Sequence, residues 1–206
     1  SETGIHWTYD TYALANGTGK ALVKQGGDSW FFLTADYAFG HALERDVTAF
    51  VKAGGGKVLG GVRHPLSSSD FSSFLLQAQA SKAKVVGLAN AGGDTINSIK
   101  QAAEFGIVSG GQRLAGLLVF ITDIHALGLK TAQGLVLSES FYWDQDEETR
   151  KFAKRFAERR KQMPGGKELY PNMMNAGDYE STMHYLKAVE AAGTDDPVKV
   201  AAKMRE

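Results

Sequence analysis

Cysteine is missing from all 206 residues, so disulfides, thiol nucleophiles and thiolate metal sites are excluded. An excess of either charge is missing too. Lys plus Arg is 23 and Asp plus Glu is 23, for a formal net charge of zero. A chain so balanced has no general electrostatic pull toward nucleic acid or an anionic membrane. No apolar run approaches the roughly 18–20 residues that span a bilayer. The chain opens on Ser1 with no signal-peptide pattern, and the expectation is a processed or trimmed chain whose export signal is not visible. Catalytic signatures are absent as well. No G-x-G-x-x-G follows a predicted strand, no G-x-S-x-G elbow occurs, and no two histidines share the i, i+4 spacing of a zinc helix. The reading is a protein without catalytic residues, metal or cofactor, and not an enzyme.

What the chain does have is the material of an ordered core: 43% hydrophobic and 22% charged residues. Apolar runs predict strands at Trp30 to Thr34, Lys57 to Arg63, Lys84 to Ala89, Leu114 to Ile121 and Gly134 to Phe141. Helical patterns lie between the first four. Leu43, Val47, Phe50 and Val51 share one face, stopped by Gly54 to Gly56. Asp70 can cap a helix carrying Phe71, Phe74, Leu75 and Ala78, and Asp94 another carrying Ile96, Ile99 and Ala103. A helix from about Tyr12 to Lys24 precedes the first strand. This alternation predicts an α/β fold, a doubly wound parallel sheet flanked by helices.

After Trp143 the rhythm breaks. Residues 145–162 form a highly charged helix with Phe152, Ala153, Phe156 and Ala157 as its apolar stripe. A Pro-Gly-Gly break follows at 164–166, then a helix from about Ala176 to Ala192 with Tyr179, Met183, Leu186 and Val189 aligned. Asp196-Pro197 starts a third helix. No strand separates them, so their stripes call for a cover other than the first sheet.

Several short motifs have ordinary explanations. GTGK at 17–20 resembles the end of a phosphate-binding loop, but Ala21 stands where Ser or Thr should hold magnesium and the segment reads as helix. Asn16-Gly17-Thr18 matches a glycosylation acceptor, a triplet common by chance. Asp123-x-His125 is the tightest acid–histidine pair and reads as structural or surface. Loop and cap chemistry accounts for the serines at 67–69 and 72–73.

The strand ends are more informative. FFLTADYAFG, residues 31–40, begins as a buried strand and leaves the core with a carboxylate, two aromatics and a glycine. Asn90 to Asp94 follow the third strand, Thr122 and Asp123 the fourth, and Tyr142, Trp143 and Asp144 the fifth. His6 to Asp10 lie just before the first helix. Ligands of open parallel sheets sit beyond the carboxyl ends of the strands. Aromatic walls with a few carboxylates suit a small organic ligand.

In order and spacing these pieces resemble one family. They include D-Y-A-F-G (36–40), K-A-G-G-G-K-V (52–58), S-D-F-S-S-F-L (69–75) and A-K-V-V-G-L-A-N-A-G-G-D (83–94). K-Q-A-A-E-F-G-I (100–107), Q-G-L-V-L-S-E-S-F-Y-W-D (133–144) and A-G-D-Y-E-S (176–181) follow. The chain is similar to the solute-binding proteins of bacterial ABC importers, the branched-chain amino acid and amide receptors. The resemblance implies a type I two-lobe fold that closes on its ligand. Residues 1–11 would be a first crossing segment and 12–141 the second lobe. Residues 142–206 would be the second crossing and helices of an incomplete first lobe, so the chain is expected to be a fragment. It also implies roles: Asp123 and Asp10 for a ligand ammonium, Phe39 and Tyr37 packed on the ligand, and Asn90 and Ala91 facing the cleft. Trp7, Tyr9, Tyr142 and Trp143 complete the aromatic set. The implied ligand is a leucine-like amino acid or an aromatic carboxylate, the partner a membrane permease, and the location periplasmic. Two rivals stand beside this reading: a cytoplasmic sensor of the same fold, and an α/β enzyme of flavodoxin or sugar-hydrolase type.

Overall fold

The computed structural model describes residues 2–166 and 169–206. The chain divides into two compact units. One comprises Asp10–Glu139 and the other Ser1–Tyr9 with Ser140–Glu206.

The first of these is a five-stranded, wholly parallel sheet. Its strands are β1 (Ser29–Ala35), β2 (Lys57–His64), β3 (Val85–Ala89), β4 (Arg113–Gly116) and β5 (Leu135–Leu137), in the order β2-β1-β3-β4-β5. Every residue of β1 is buried, as a central strand covered on both faces requires. On one face lie α1 (Thr11–Lys24), over β4 and β5, and α2 (Ala38–Ala53), over β1, with Leu14, Leu22, Leu43, Val47 and Val51 buried as are Trp30 and Phe32. On the other lie α3 (Ser72–Ala80), α4 (Gly92–Glu104) and α5 (Ile121–Leu127). They close a core of Phe31, Leu33, Phe71, Leu75, Val86, Leu88 and Ile99. The alternation of Trp30 and Phe32 with Phe31 and Leu33 is the period-two signature of a strand buried on both faces.

Two glycines in α1 account for the phosphate-loop-like GTGK segment. A Cβ on Gly17 would come within 2.6 Å of Ser138 Oγ, and Gly19 lies against Val47 and Phe50 of α2. Thr18 Oγ1 pairs with Ser138 Oγ at 2.9 Å. The motif is helix packing.

The structure corrects several boundaries. The fourth predicted strand, Leu114 to Ile121, ends at Gly116, and residues 117–120 leave the sheet while remaining largely buried. The cause is a fold-back: Val119 packs so closely over Gly116 that a Cβ there would lie 2.6 Å from Val119 Cγ2. The fifth strand, predicted over Gly134 to Phe141, is only Leu135–Leu137. Helix α5 has no counterpart among the elements the apolar pattern predicts. Asp94 does not cap α4 but lies in its first turn, buried, accepting from Ser67 N–H at 3.1 Å.

Among its described residues the second unit carries three helices, α6 (Glu147–Gln162), α7 (Met173–Ala192) and α8 (Pro197–Lys203). Asp146, Asn172 and Asp196 are their N-caps, each accepting backbone N–H bonds in the first turn. Asn172 explains why α7 begins three residues before the expected Ala176. Ala153 and Ala157 are buried on α6, whereas Tyr179 and Leu186 of α7 remain 44% and 53% exposed. The amino-terminal segment is held by Arg205, which donates to Glu2 O at 2.6 Å, and by Thr8 against Gly177 of α7.

Candidate functional site

In an open parallel sheet the topology reverses where successive crossovers pass to opposite faces. Here α2 leaves β1 on one face and α3 leaves β2 on the other, so the switch point lies at the carboxyl ends of β1 and β3. Tyr37 and Phe39 follow β1, and Asn90 and Ala91 follow β3. Strand order therefore makes neighbours of residues more than 50 positions apart in sequence.

The D-Y-A-F-G segment is built for close approach. A Cβ on Gly40 would meet Ala35 O at 2.2 Å and Ala89 O at 3.0 Å. Only glycine lets the first turn of α2 press against the ends of β1 and β3. Asp36, exposed, pairs with His41 Nε2 at 2.8 Å rather than capping the helix. Tyr37 and Phe39 are half-buried, with ring centroids 5.9 Å apart. The N-cap residues of α2 and α4, Tyr37 and Ala91, make no side-chain cap hydrogen bond to the first turn.

Asn90 differs from its neighbours. It is fully buried, and its side chain bonds to Thr95 Oγ1 at 2.7 Å and lies 3.2 Å from His64 Nε2. The structure places this side chain inside the unit rather than on the surface of the edge. Ala91 beside it is half-buried.

Asp123 stands in the first turn of α5, where its Oδ2 accepts from Phe120 N–H at 2.9 Å. Next to it is a residue the motif reading passed over. Glu139, two positions beyond β5, accepts from Ile121 N–H at 3.0 Å. Burial pushes its carboxyl up to about 7, the Ile121 amide opposes the shift, and the charge of Asp123 adds to it. A Glu directly after a strand within S-E-S gives little warning in sequence, because the apolar run around it reads as one longer strand. A half-buried pair of acids, one with a raised carboxyl, is chemistry suited to an ammonium group.

Asp10, at the start of this unit, is exposed and caps α1 by accepting from Ala13 N–H at 2.7 Å. In the other unit, Trp7 packs edge-on against His184 at 5.1 Å and is 39% exposed. Burial raises the Tyr9 hydroxyl. Tyr142 is exposed, and Trp143 stacks on Tyr170 with centroids 4.0 Å apart. The Trp143 Nε1 is buried and makes no hydrogen bond among the described residues. His125 is exposed, and no group of three or more metal-ligating side chains occurs among the described residues.

The amino edge of the sheet offers a contrast. A depression of about 520 Å³ there is lined by Leu76, Gln79, Lys82, Ile107 and Gln112, with Lys82 its one charged side chain. Its lining holds no acid and no ring, whereas both follow the carboxyl ends of the strands, so the latter is taken as the candidate site.

A doubly wound α/β unit with an acidic and aromatic carboxyl edge is the architecture of a type I binding-protein lobe. The chain belongs to the periplasmic binding protein family, whose model matches residues 1–206. It is similar to a periplasmic binding protein from Burkholderia mallei, at 60% identity and a TM-score of 0.89, covering 97% of this chain and 51% of that one. It is also similar to a branched chain amino acid ABC transporter periplasmic ligand-binding protein from Burkholderia xenovorans LB400. That match has 37% identity, a TM-score of 0.84, and coverage of 98% and 52%. A Leu/Ile/Val-binding protein homolog 6 from Brucella melitensis is 26% identical over 193 residues, 92% of this chain and 48% of the relative. The chain thus spans about half the length of the relatives it matches.

Proposed function

We propose that the protein carrying this chain is a periplasmic receptor that captures a small amino-bearing organic solute and delivers it to an ABC permease. The observation that carries the reading is that Tyr37 and Phe39, Ala91, Asp123 and Glu139 all follow the carboxyl ends of neighbouring strands of one parallel sheet. The rings supply apolar area, and the acids supply a counter-charge for an ammonium. Of the two ligand chemistries, a leucine-like amino acid fits better than an aromatic carboxylate. A simple carboxylate brings a second negative charge toward Asp123 and Glu139, whereas a zwitterion brings its ammonium. Proteins named for branched-chain amino acids are among the relatives, and a benzoate complex is among the structures of the same fold, so the choice rests on the charge argument. Trp7, Tyr9, Asp10, Tyr142 and Trp143 are part of the same proposal as solute-contacting residues. Function follows from a population shift toward a closed, permease-competent form by contacts made only on closure.

Titration calorimetry of the full gene product with leucine and with benzoate tests this. Leucine should bind at least tenfold more tightly. Tighter binding of benzoate would transfer the receptor to aromatic acids, and turnover of either compound would replace binding with catalysis.

A further inference from the structure

The carboxyl edge is backed by a closed polar relay that the solute reading does not use. His64, at the end of β2, is fully buried with Nδ1 2.8 Å from Pro65 O. A carbonyl only accepts, so Nδ1 carries the proton and Nε2 presents a lone pair. Asn90 Nδ2 donates to that lone pair at 3.2 Å and approaches Ser98 Oγ at 3.5 Å. Thr95 Oγ1 donates to Asn90 Oδ1 at 2.7 Å, and Ser98 Oγ donates back to Thr95 O at 3.0 Å. Phe71 wall-packs the imidazole edge-on at 4.8 Å, keeping water from it.

Each partner therefore fixes the tautomer or rotamer of the next. Turning Asn90 outward to touch a solute would strand a buried imidazole nitrogen and a buried hydroxyl, at a cost of about 1–3 kcal/mol each. The turn it anchors is different. Gly92 adopts φ +57, and a Cβ on Gly92 or Gly93 would meet nothing within 4 Å. The backbone there lies open to an approaching molecule.

We infer that Asn90 is a positioning residue: with His64 and Thr95 it holds the turn at residues 91–93 in the one shape that presents it to the solute. This inference rests on the carboxyl edge being the solute site. It makes the relay, rather than a direct side-chain contact, the reason for an asparagine after β3.

The test uses Thr95→Val, which removes the hydroxyl at nearly constant shape, and Thr95→Ser, which restores it. Val51→Ala, in the core on the opposite face of the sheet, is the stability control. Two quantities are read: backbone amide NMR resonances of residues 91–93 in the 206-residue chain, and leucine affinity of the full gene product. Thr95→Val should move those resonances and weaken leucine at least tenfold, with Thr95→Ser close to wild type in both. Val51→Ala should lower the unfolding midpoint and leave both unchanged. Unmoved resonances in Thr95→Val, or equal loss of affinity in Val51→Ala, would overturn the positioning role. Failure of the wild-type protein to bind leucine would instead overturn the solute reading, and the resonances would still judge the relay.

Discussion

Asp123 and Glu139 accept from consecutive backbone amides, Phe120 N–H at 2.9 Å and Ile121 N–H at 3.0 Å. Two acids are thereby pinned side by side at the start of one helix with a repulsion between them. The pH consequence has a definite sign. The Glu139 carboxyl rises from 4.5 to about 7 on folding, so between those values the folded protein holds a proton that the unfolded chain has lost. Stability must then fall as pH rises from about 4.5 through 7, and level off above. Allowing for solvent screening of a half-exposed group, the loss is about 1–2 kcal/mol. Urea unfolding at pH 5 and pH 8 measures it. Glu139→Gln, which keeps an acceptor for Ile121, should abolish most of the difference.

Gly40 and Gly93 make a matched pair of opposite sign. Glycine inside a helix usually costs about 0.5–1 kcal/mol relative to alanine, so alanine would be favoured at both on propensity alone. At Gly40 sterics reverse this, because the new Cβ would lie 2.2 Å from Ala35 O, a backbone atom that cannot swing aside. Gly40→Ala should destabilise by about 3 kcal/mol or more. At Gly93 nothing lies within 4 Å, and Gly93→Ala should be neutral or stabilising by up to about 1 kcal/mol. Chemical denaturation of the two variants compares them directly.

The same contrast shows which parts of the structure were legible in the sequence. Elements specified by their own residues were legible: β1 from a continuous apolar run, α1 to within a residue, the end of α2 from its glycines and the start of α8 from Asp196-Pro197. Elements specified by distant partners were not. The α5 N-terminus begins at Phe120, a residue with no capping group, and its acceptors come from Asp123 within the helix and Glu139 at the far side of β5. The end of β4 depends on Val119 folding back over Gly116, which a buried apolar run does not announce. Strand-end logic collected Tyr37, Phe39, Ala91 and Asp123 at one edge. It could not tell that Asn90 faces inward, since that depends on His64 and Thr95 arriving from β2 and α4.

The start of α7 offers a local test in the smaller unit. Asn172 Oδ1 accepts from Met174 N–H at 3.0 Å and Asn175 N–H at 3.1 Å, while Asn175 Oδ1 accepts from Asn172 N–H at 3.1 Å. Asn172→Ala removes two acceptor bonds and should cost about 1–2 kcal/mol. Asn172→Asp keeps the acceptor and adds a charge favoured by the helix dipole, so it should lose nothing. Hydrogen exchange of the first-turn amides of α7 resolves the effect within this helix.

The solute reading finally commits the acid pair to a proton balance. At pH 7 Glu139 is close to half-protonated, so an ammonium arriving beside it favours the ionised form and expels part of a proton. Leucine titrated into the full gene product at pH 7 should give different heats in phosphate and in Tris, which take up protons with different enthalpies. Asp123→Asn keeps an oxygen for the Phe120 amide, so α5 should survive, but it removes a fixed charge. Affinity should fall by about 2–3 kcal/mol, the scale of losing one member of a desolvated charge pair. With that repulsion gone, Glu139 ionises at lower pH, and the proton released on binding at pH 7 should shrink. Equal heats in both buffers for the wild type, with unchanged leucine affinity in Asp123→Asn, would remove the acid pair from the binding site and leave the aromatic residues to account for it.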